Sequence, residues 1–586
     1  MTTGAIGCTV PHEAVASELA QSPGVQQRLT APLWPDPGVP ETLVAEPEVR
    51  AAPASPDLAR PRGARLLSRL EGPLGAALVA VAITLLASWF SASHHLMFLY
   101  ADARSHLTIS RRLIDGPNAG MVQFGTVWLP LPHAIMVPFV MSRWLWHTGL
   151  AAVPVGAVCL AIEALSVRSI VRRMTGSRLA AWCALLLLVT NPSVLYLHTT
   201  ALTEAPLFAA MALTVAALVR WSTVPKAHSG GEIALFCGLP ATAALLSRYD
   251  GWAFVFVAAA VMFVVAWHRW GNLRYALKVT GCFVVLPCLA AAWWMWFNFV
   301  NWGDPLEFQR GPYSAQAQQA LLSRQGKLPD KGHLLRSLDT YSTAVWRGCG
   351  SVLIVLAAIG AVCWLWTHAR HRSDSSHLMP WLLVVVPFTF YVLSLATGQI
   401  ALRLDDSPTQ GMFNLRYGVE MVMGLTVFAG VAVAALQRML RRRTVTKLSV
   451  AVLVAAAVWA TAGSGWTQIP VVEEGLSQRA AGVDQYAAGE WMGDHARTGR
   501  ILIDDSVNPL LPVIDVDLDR VAAPFSRSWK ATLADPARAE WVYVDTGNPF
   551  DHVRRAIGRD RSFGRDFARV FHTEKADVYR RRPVKP

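Results

Sequence analysis

Pro73-Leu-Gly-Ala-Ala-Leu-Val-Ala-Val-Ala-Ile-Thr-Leu-Leu-Ala-Ser-Trp-Phe90 runs without a single charged side chain. At 1.5 Å per helical residue such a run crosses most of a ~30 Å hydrocarbon layer. Directly beyond it stands Tyr100-Ala-Asp-Ala-Arg-Ser-His106, which puts a carboxylate, a guanidinium and an imidazole just outside a membrane. Asp102 and His106 are four residues apart and share one face of any helix formed there, while Arg104, Arg111 and Arg112 add permanent positive charge. An acid beside cations at a bilayer surface suits acid/base or metal chemistry on an anionic lipid.

The whole chain carries the same signature. Of its 586 residues 53% are hydrophobic and 16% charged, the mean hydropathy is +0.34, and apolar runs of about 17 to 25 residues recur. The fold class is therefore all-α and polytopic. A net charge of +13 could indicate nucleic acid, but the basic residues sit in short segments between apolar runs, as the positive-inside bias requires, so no nucleic-acid partner is expected. Cys159 to Cys363 lie in or beside apolar runs, without a CxxC pair or metal-type spacing, which indicates neither a disulfide framework nor a zinc site. Residues 1–65, rich in Pro, Ala and Glu, read as a disordered cytoplasmic tail, held there by Arg60, Arg62, Arg65 and Arg69.

Eleven spans are expected in a membrane domain over residues 66–465, at about 74–92, 150–168, 179–197, 205–221, 232–247, 251–268, 276–297, 350–367, 380–397, 414–436 and 446–465. The apolar stretch Trp128 to His147 carries Pro130, Pro132, Pro138 and Arg143, so it reads as a re-entrant or juxtamembrane element. With that choice the short basic connectors, including Arg441, Arg442 and Arg443, fall in the cytoplasm. The loops 93–149, 298–349 and 398–413 and everything after 466 face the other side. Residues 466–586 change character, with strand-like Arg500 to Asp504 and Trp541 to Asp545 between turns, and predict a small extracytoplasmic α/β domain.

Ionisable residues at the ends of apolar segments persist only with a partner or a task. Besides Asp102, Arg104 and His106 these are Glu204 in His198-Thr-Thr-Ala-Leu-Thr-Glu-Ala-Pro206, the triplet Arg248-Tyr249-Asp250, and Arg416-Tyr417. Each has a plain structural alternative. The first set fits an interfacial amphipathic helix; Thr203 and Glu204 fit an N-cap and a first-turn acid; Arg248 and Asp250 fit a structural pair. Arg416 could be satisfied by a carbonyl, but a planar fork of donors at the lipid boundary also suits a phosphate diester. Trp293, Trp294 and Trp296 read as an aromatic belt, Asp405-Asp406 as a solvated turn or a weak metal candidate, and loop 298–349 as a lid or an ordinary connector.

This order of elements resembles the C-type (GT-C) superfamily of integral-membrane glycosyltransferases, which includes protein O-mannosyltransferases, aminoarabinose transferases and oligosaccharyltransferase catalytic subunits. The similarity rests on Asp102 and its arginine-bearing helix after the first span, the following Trp128-Leu-Pro-Leu-Pro-His133, Glu204 after the third span, Arg248-Tyr-Asp-Gly-Trp252, and the late Arg416-Tyr417. It implies transfer of a sugar, usually with inversion, from a polyprenyl-phosphate-linked donor to a glycan or protein acceptor on the outer face. It further implies that Asp102 acts as general base or binds a divalent metal such as Mg or Mn, that Glu204 assists it, and that Arg416 and Arg248 neutralise the leaving phosphate. Arg104, Tyr249, Asp250 and Tyr417 are expected to line the substrate together with His106 and His133, for which the resemblance fixes no role and either of which could be a base or a structural donor. The lone Asp102-Ala-Arg104 departs from the paired acids of O-mannosyltransferases, and a Trp-Trp-Asp-Tyr-Asp signature is missing, which leaves metal use open and counts against an oligosaccharyltransferase. The rival readings are a transporter or flippase of lipid-linked glycans and a non-catalytic scaffold for the C-terminal domain. Transporters favour inverted repeats and midplane charges, whereas these charges cluster at the outer ends.

Overall fold

A computed structural model describes residues 72–583 except 225–227, 370–374, 404–410, 441–442, 464 and 507. The expected N-terminal tail, its arginine cluster, Arg441, Arg442 and the pair Asp405-Asp406 lie outside the described residues.

Nine described helices are long and apolar enough to cross a membrane: α1 Pro73–Ser93, α4 Ala152–Thr175, α7 Glu204–Thr223, α8 Gly230–Ser247, α9 Asp250–Trp270, α10 Leu273–Trp302, α12 Ser351–His368, α13 His377–Ala396 and α14 Arg416–Leu440. Of the two remaining expected spans, one is broken. Residues 179–197 become α5 Arg178–Val189 and α6 Pro192–Thr199, bent by 60°; Pro192 has no N–H to continue the ladder, and Asn191 instead caps the new helix at Val194 N (3.1 Å). The last, expected at 446–465, is the 20-residue helix α15 Arg443–Ala462. The proline-rich stretch forms only α3 Leu131–Val140 and a turn of helix at Arg143–His147, too short to span.

Small residues decide how closely these helices approach. In α1, Ala76, Ala80, Thr84 and Ser88 recur every fourth position and are buried, while Leu78, Leu85, Leu86 and Trp89 face outward; the seam lets α4 pack tightly. α14 is the central post, with 89% of its apolar window buried, against 22% for α10 and α12 at the rim. Trp294 corrects the aromatic-belt expectation: it is fully buried and stacked on Phe297 at 5.3 Å, whereas Trp296 is exposed.

Between α1 and α4 lies α2, Ala101–Arg112, and α11 is Leu334–Cys349. After α15 come α16 Pro470–Ala481 and α17 Val483–His495, then a sheet in the order β2-β1-β3-β5-β4. Its strands are β1 Ile501–Leu502, β2 Val521–Ala522, β3 Trp541–Asp545, β4 Phe567–His572 and β5 Ala576–Arg581. The first three are parallel and β4 and β5 antiparallel, so an α/β domain stands where one is expected. It packs on the first loop. Arg104 Nε donates to the Pro509 carbonyl at 2.7 Å, and Arg143 pairs with Asp515 at 2.7 Å.

Candidate active site

α2 forms where Tyr100, extended, hands over to Ala101. That register presents Asp102 toward the N-terminus of α14, where the Asp102 carboxylate accepts from Arg416 Nη2 at 2.5 Å across 314 residues of chain. Arg416 is 6% exposed at its side chain and Asp102 40%, so the pair is a buried cation under an accessible acid. Burial pushes the Asp102 carboxyl up, but the permanent charges of Arg416 and Arg248, with the hydrogen bond from Arg416, more than reverse this and hold it below the usual carboxylate range.

Glu204, the first residue of α7, is nearly fully buried and joins the two arginines. Its Oε1 lies 3.0 Å from Arg248 Nη1 and 3.4 Å from Arg416 Nε. The expected N-cap bond from Thr203 is not made; its hydroxyl accepts from Arg248 Nη1 at 3.1 Å instead. Arg248 also donates to Asp250 at 3.1 Å. Burial works against the charge of Arg248, and the Asp250 and Glu204 carboxylates more than restore it. Tyr417 lies between the two cations, its ring 4.9 Å from Arg248 and 5.4 Å from Arg416, with Tyr100 under Arg416 at 5.2 Å. Such faces hold guanidiniums by cation–π attraction without neutralising them.

His106 is buried beside this cluster, its Nδ1 2.9 Å from His133 Nε2 and its ring edge-on to Trp128. Burial lowers His106 to about 4, so at neutral pH it is an uncharged hydrogen-bonding group. The structure therefore brings Asp102, His106, His133, Glu204, Arg248, Asp250, Arg416 and Tyr417 together. Arg104 it does not: that guanidinium is buried and spent on the carbonyls of Phe98 (2.8 Å) and Pro509, a strut to the sheet domain. Tyr249 is intermediate. Its hydroxyl donates to the Val127 carbonyl and its ring stacks on Phe308 of loop 298–349 at 5.2 Å.

Three buried acids escape a reading confined to the outer ends of spans. Glu420 follows Arg416 by one helical turn, and Tyr391 of α13 connects it (3.1 Å) to Asp250 (2.7 Å). Glu163 lies within α4 and meets His198 at 2.7 Å, both fully buried. Glu474 of α16 accepts from the backbone amides of Asn414 and Leu415, each at 2.8 Å. Glu420 and Glu163 were visible as acids interrupting apolar runs; Glu474 carries no such mark. Among the described residues no group of three His, Cys, Asp or Glu could hold a metal ion. Asp102 offers one carboxylate already paired with a guanidinium, a donor set that does not fit a protein-held Mg or Mn.

A family model described as dolichyl-phosphate-mannose-protein mannosyltransferase matches residues 149–303. No curated protein matches the chain. Among solved structures, ArnT from Cupriavidus metallidurans in the apo state is similar at 15% identity and a TM-score of 0.52, covering 86% of this chain and 98% of that one. The same protein bound to undecaprenyl phosphate gives 14% and 0.49 over the same shares. The Archaeoglobus fulgidus oligosaccharyltransferase AglB, in complex with an inhibitory peptide and a dolichol-phosphate, gives 12% and 0.47 over 81% of this chain and 69% of that one. The family match thus runs from α4 to α10, and the architecture of the chain is one it shares with ArnT.

Proposed function

We propose that this enzyme moves a sugar from a polyprenyl-phosphate-linked donor to a glycan or protein acceptor at the extracytoplasmic face of the cell membrane, with inversion at the anomeric carbon. The observation that carries the reading is the Asp102–Arg416 contact, which sets an accessible base against a buried cation. The sidedness rests on the basic connectors opposite the site, and the class of donor on the dolichyl-phosphate chemistry of the matching family.

Asp102 takes the proton of the acceptor hydroxyl, whose oxygen attacks the anomeric carbon as the bond to the phosphate oxygen breaks. The electron pair leaves with the phosphate, and Arg416 and Arg248 stabilise the charge that develops there. Glu204, between both guanidiniums, fixes their separation and assists Asp102 by keeping Arg416 in place. A donor phosphate competes with Asp102 for Arg416 Nη2; once it takes that donor, Asp102 is less neutralised and becomes the stronger base. Neutral His106, backed by His133, supplies a hydrogen bond without a charge that would compete for the phosphate. Replacing Arg416 with Ala tests the assignment through binding of undecaprenyl phosphate to the full chain in nanodiscs. About tenfold or greater weakening is expected; binding equal to the parent removes the phosphate role.

A further inference from the structure

Asn414 precedes Arg416 with a positive φ of 54°, the left-handed region that Asn enters more readily than most non-glycine residues but that persists only where the surroundings hold it. What imposes it comes from the C-terminal region. The Glu474 carboxylate on α16 receives Asn414 N on Oε1 and Leu415 N on Oε2, both at 2.8 Å, and Gln478 donates to Oε1 at 3.0 Å. Glu474 is 1% exposed, so these bonds are made away from water and are of the strong, charge-assisted kind. One turn earlier, the Val471 carbonyl accepts from the Tyr100 hydroxyl at 2.7 Å, two residues before Asp102. One helix therefore grips both strands of chain that meet at the Asp102–Arg416 pair.

We propose that Glu474 is a positioning residue that fixes the guanidinium of Arg416 for the donor phosphate, and that α16 is a working part of the site. The proposal rests on the phosphate role assigned to Arg416. A carboxylate with two oxygens aimed at two consecutive amides sets the start of α14 in a way that a single acceptor cannot. Without it the turn at Asn414 is free to relax and Arg416 loses its aim at the phosphate while keeping its charge. The neighbouring Glu473 pairs with Arg347 at 2.8 Å and serves as the control on the same helix.

The test compares the full chain with E474Q, E474A, E473A, R416A and the double variant E474A/R416A in nanodiscs, reading undecaprenyl phosphate binding and amide hydrogen exchange at residues 414–415. E474A is expected to lose protection at those two amides and to bind about tenfold more weakly, with E474Q between it and the parent. E473A should match the parent. The double variant should bind no worse than R416A, because both changes remove the same interaction. Parent-like binding in E474A and E474Q beside a weakened R416A, or fully additive losses in the double variant, overturns the proposal and leaves the phosphate role standing. Parent-like binding in R416A overturns the phosphate role, and the proposal with it.

Discussion

The Oε1 atom of Glu204 stands 3.0 Å from Arg248 and 3.4 Å from Arg416, so one buried oxygen sets the spacing of the two cations. Glu204→Gln keeps the size of the side chain but weakens one charge-assisted hydrogen bond, to Arg248, and one ion pair, to Arg416, and leaves a net positive gain. Tighter static binding of undecaprenyl phosphate is expected, with transfer reduced by about tenfold to a hundredfold as the arginines lose alignment. Measuring Kd and kcat on the same preparation checks the split.

The acid limb of kcat/KM reports the base. Because Arg416 is the chief charge holding the Asp102 carboxyl below its usual range, the active, ionised form persists in the parent to pH values below those of an ordinary carboxylate, and activity falls only as pH drops through that lowered value. Removing the charge with Arg416→Gln favours the protonated form. The limb of the residual activity should then move to higher pH; an unmoved limb assigns it to another group.

Tyr391 donates within a buried set of acids, Asp250 and Glu420, beside Arg248. Tyr391→Phe removes the hydroxyl and leaves buried carboxylate oxygens short of a partner, at a cost of about 1–3 kcal/mol. Thermal unfolding in detergent should show a lowered Tm, while Tyr249→Phe, which frees only one backbone carbonyl at Val127, should change it less.

Asp505 lies in the turn three residues after β1, where burial raises its carboxyl to about 7 despite amide donors at Leu510 and Leu511. A group whose proton is held more tightly in the folded state stabilises fully below its unfolded value and loses that contribution as pH rises through the folded one. From 3.8 to about 7, at 1.36 kcal/mol per pH unit, the difference is up to about 4 kcal/mol. Asp505→Asn keeps an acceptor for the two amides, so its Tm should equal the parent's at pH 4 and exceed it at pH 8.

Much of this was legible in the chain. Long uncharged runs fixed the helices, and the residues interrupting their ends gave Asp102, Glu204, Arg248 and Arg416. Residues 179–197 and Arg104 show where that reading stops. A run with Asn191-Pro192 inside it has the composition of a span, and only the lost backbone bond and the Asn191 cap reveal the bend. Arg104 shares its helix with Asp102, yet spacing along a helix does not say that the opposite face meets Pro509, some four hundred residues later. Glu474 was beyond reach for the same reason: its partners are backbone amides, which no sequence pattern marks.

Asp102→Asn provides the most direct measurement, in a single-turnover assay with a polyprenyl-phosphate-linked sugar alongside binding of undecaprenyl phosphate. The account predicts a loss of transfer of about a hundredfold to ten-thousandfold with phosphate binding retained or tightened, since Arg416 is freed. Transfer at the parent's rate by a folded Asp102→Asn enzyme would contradict it.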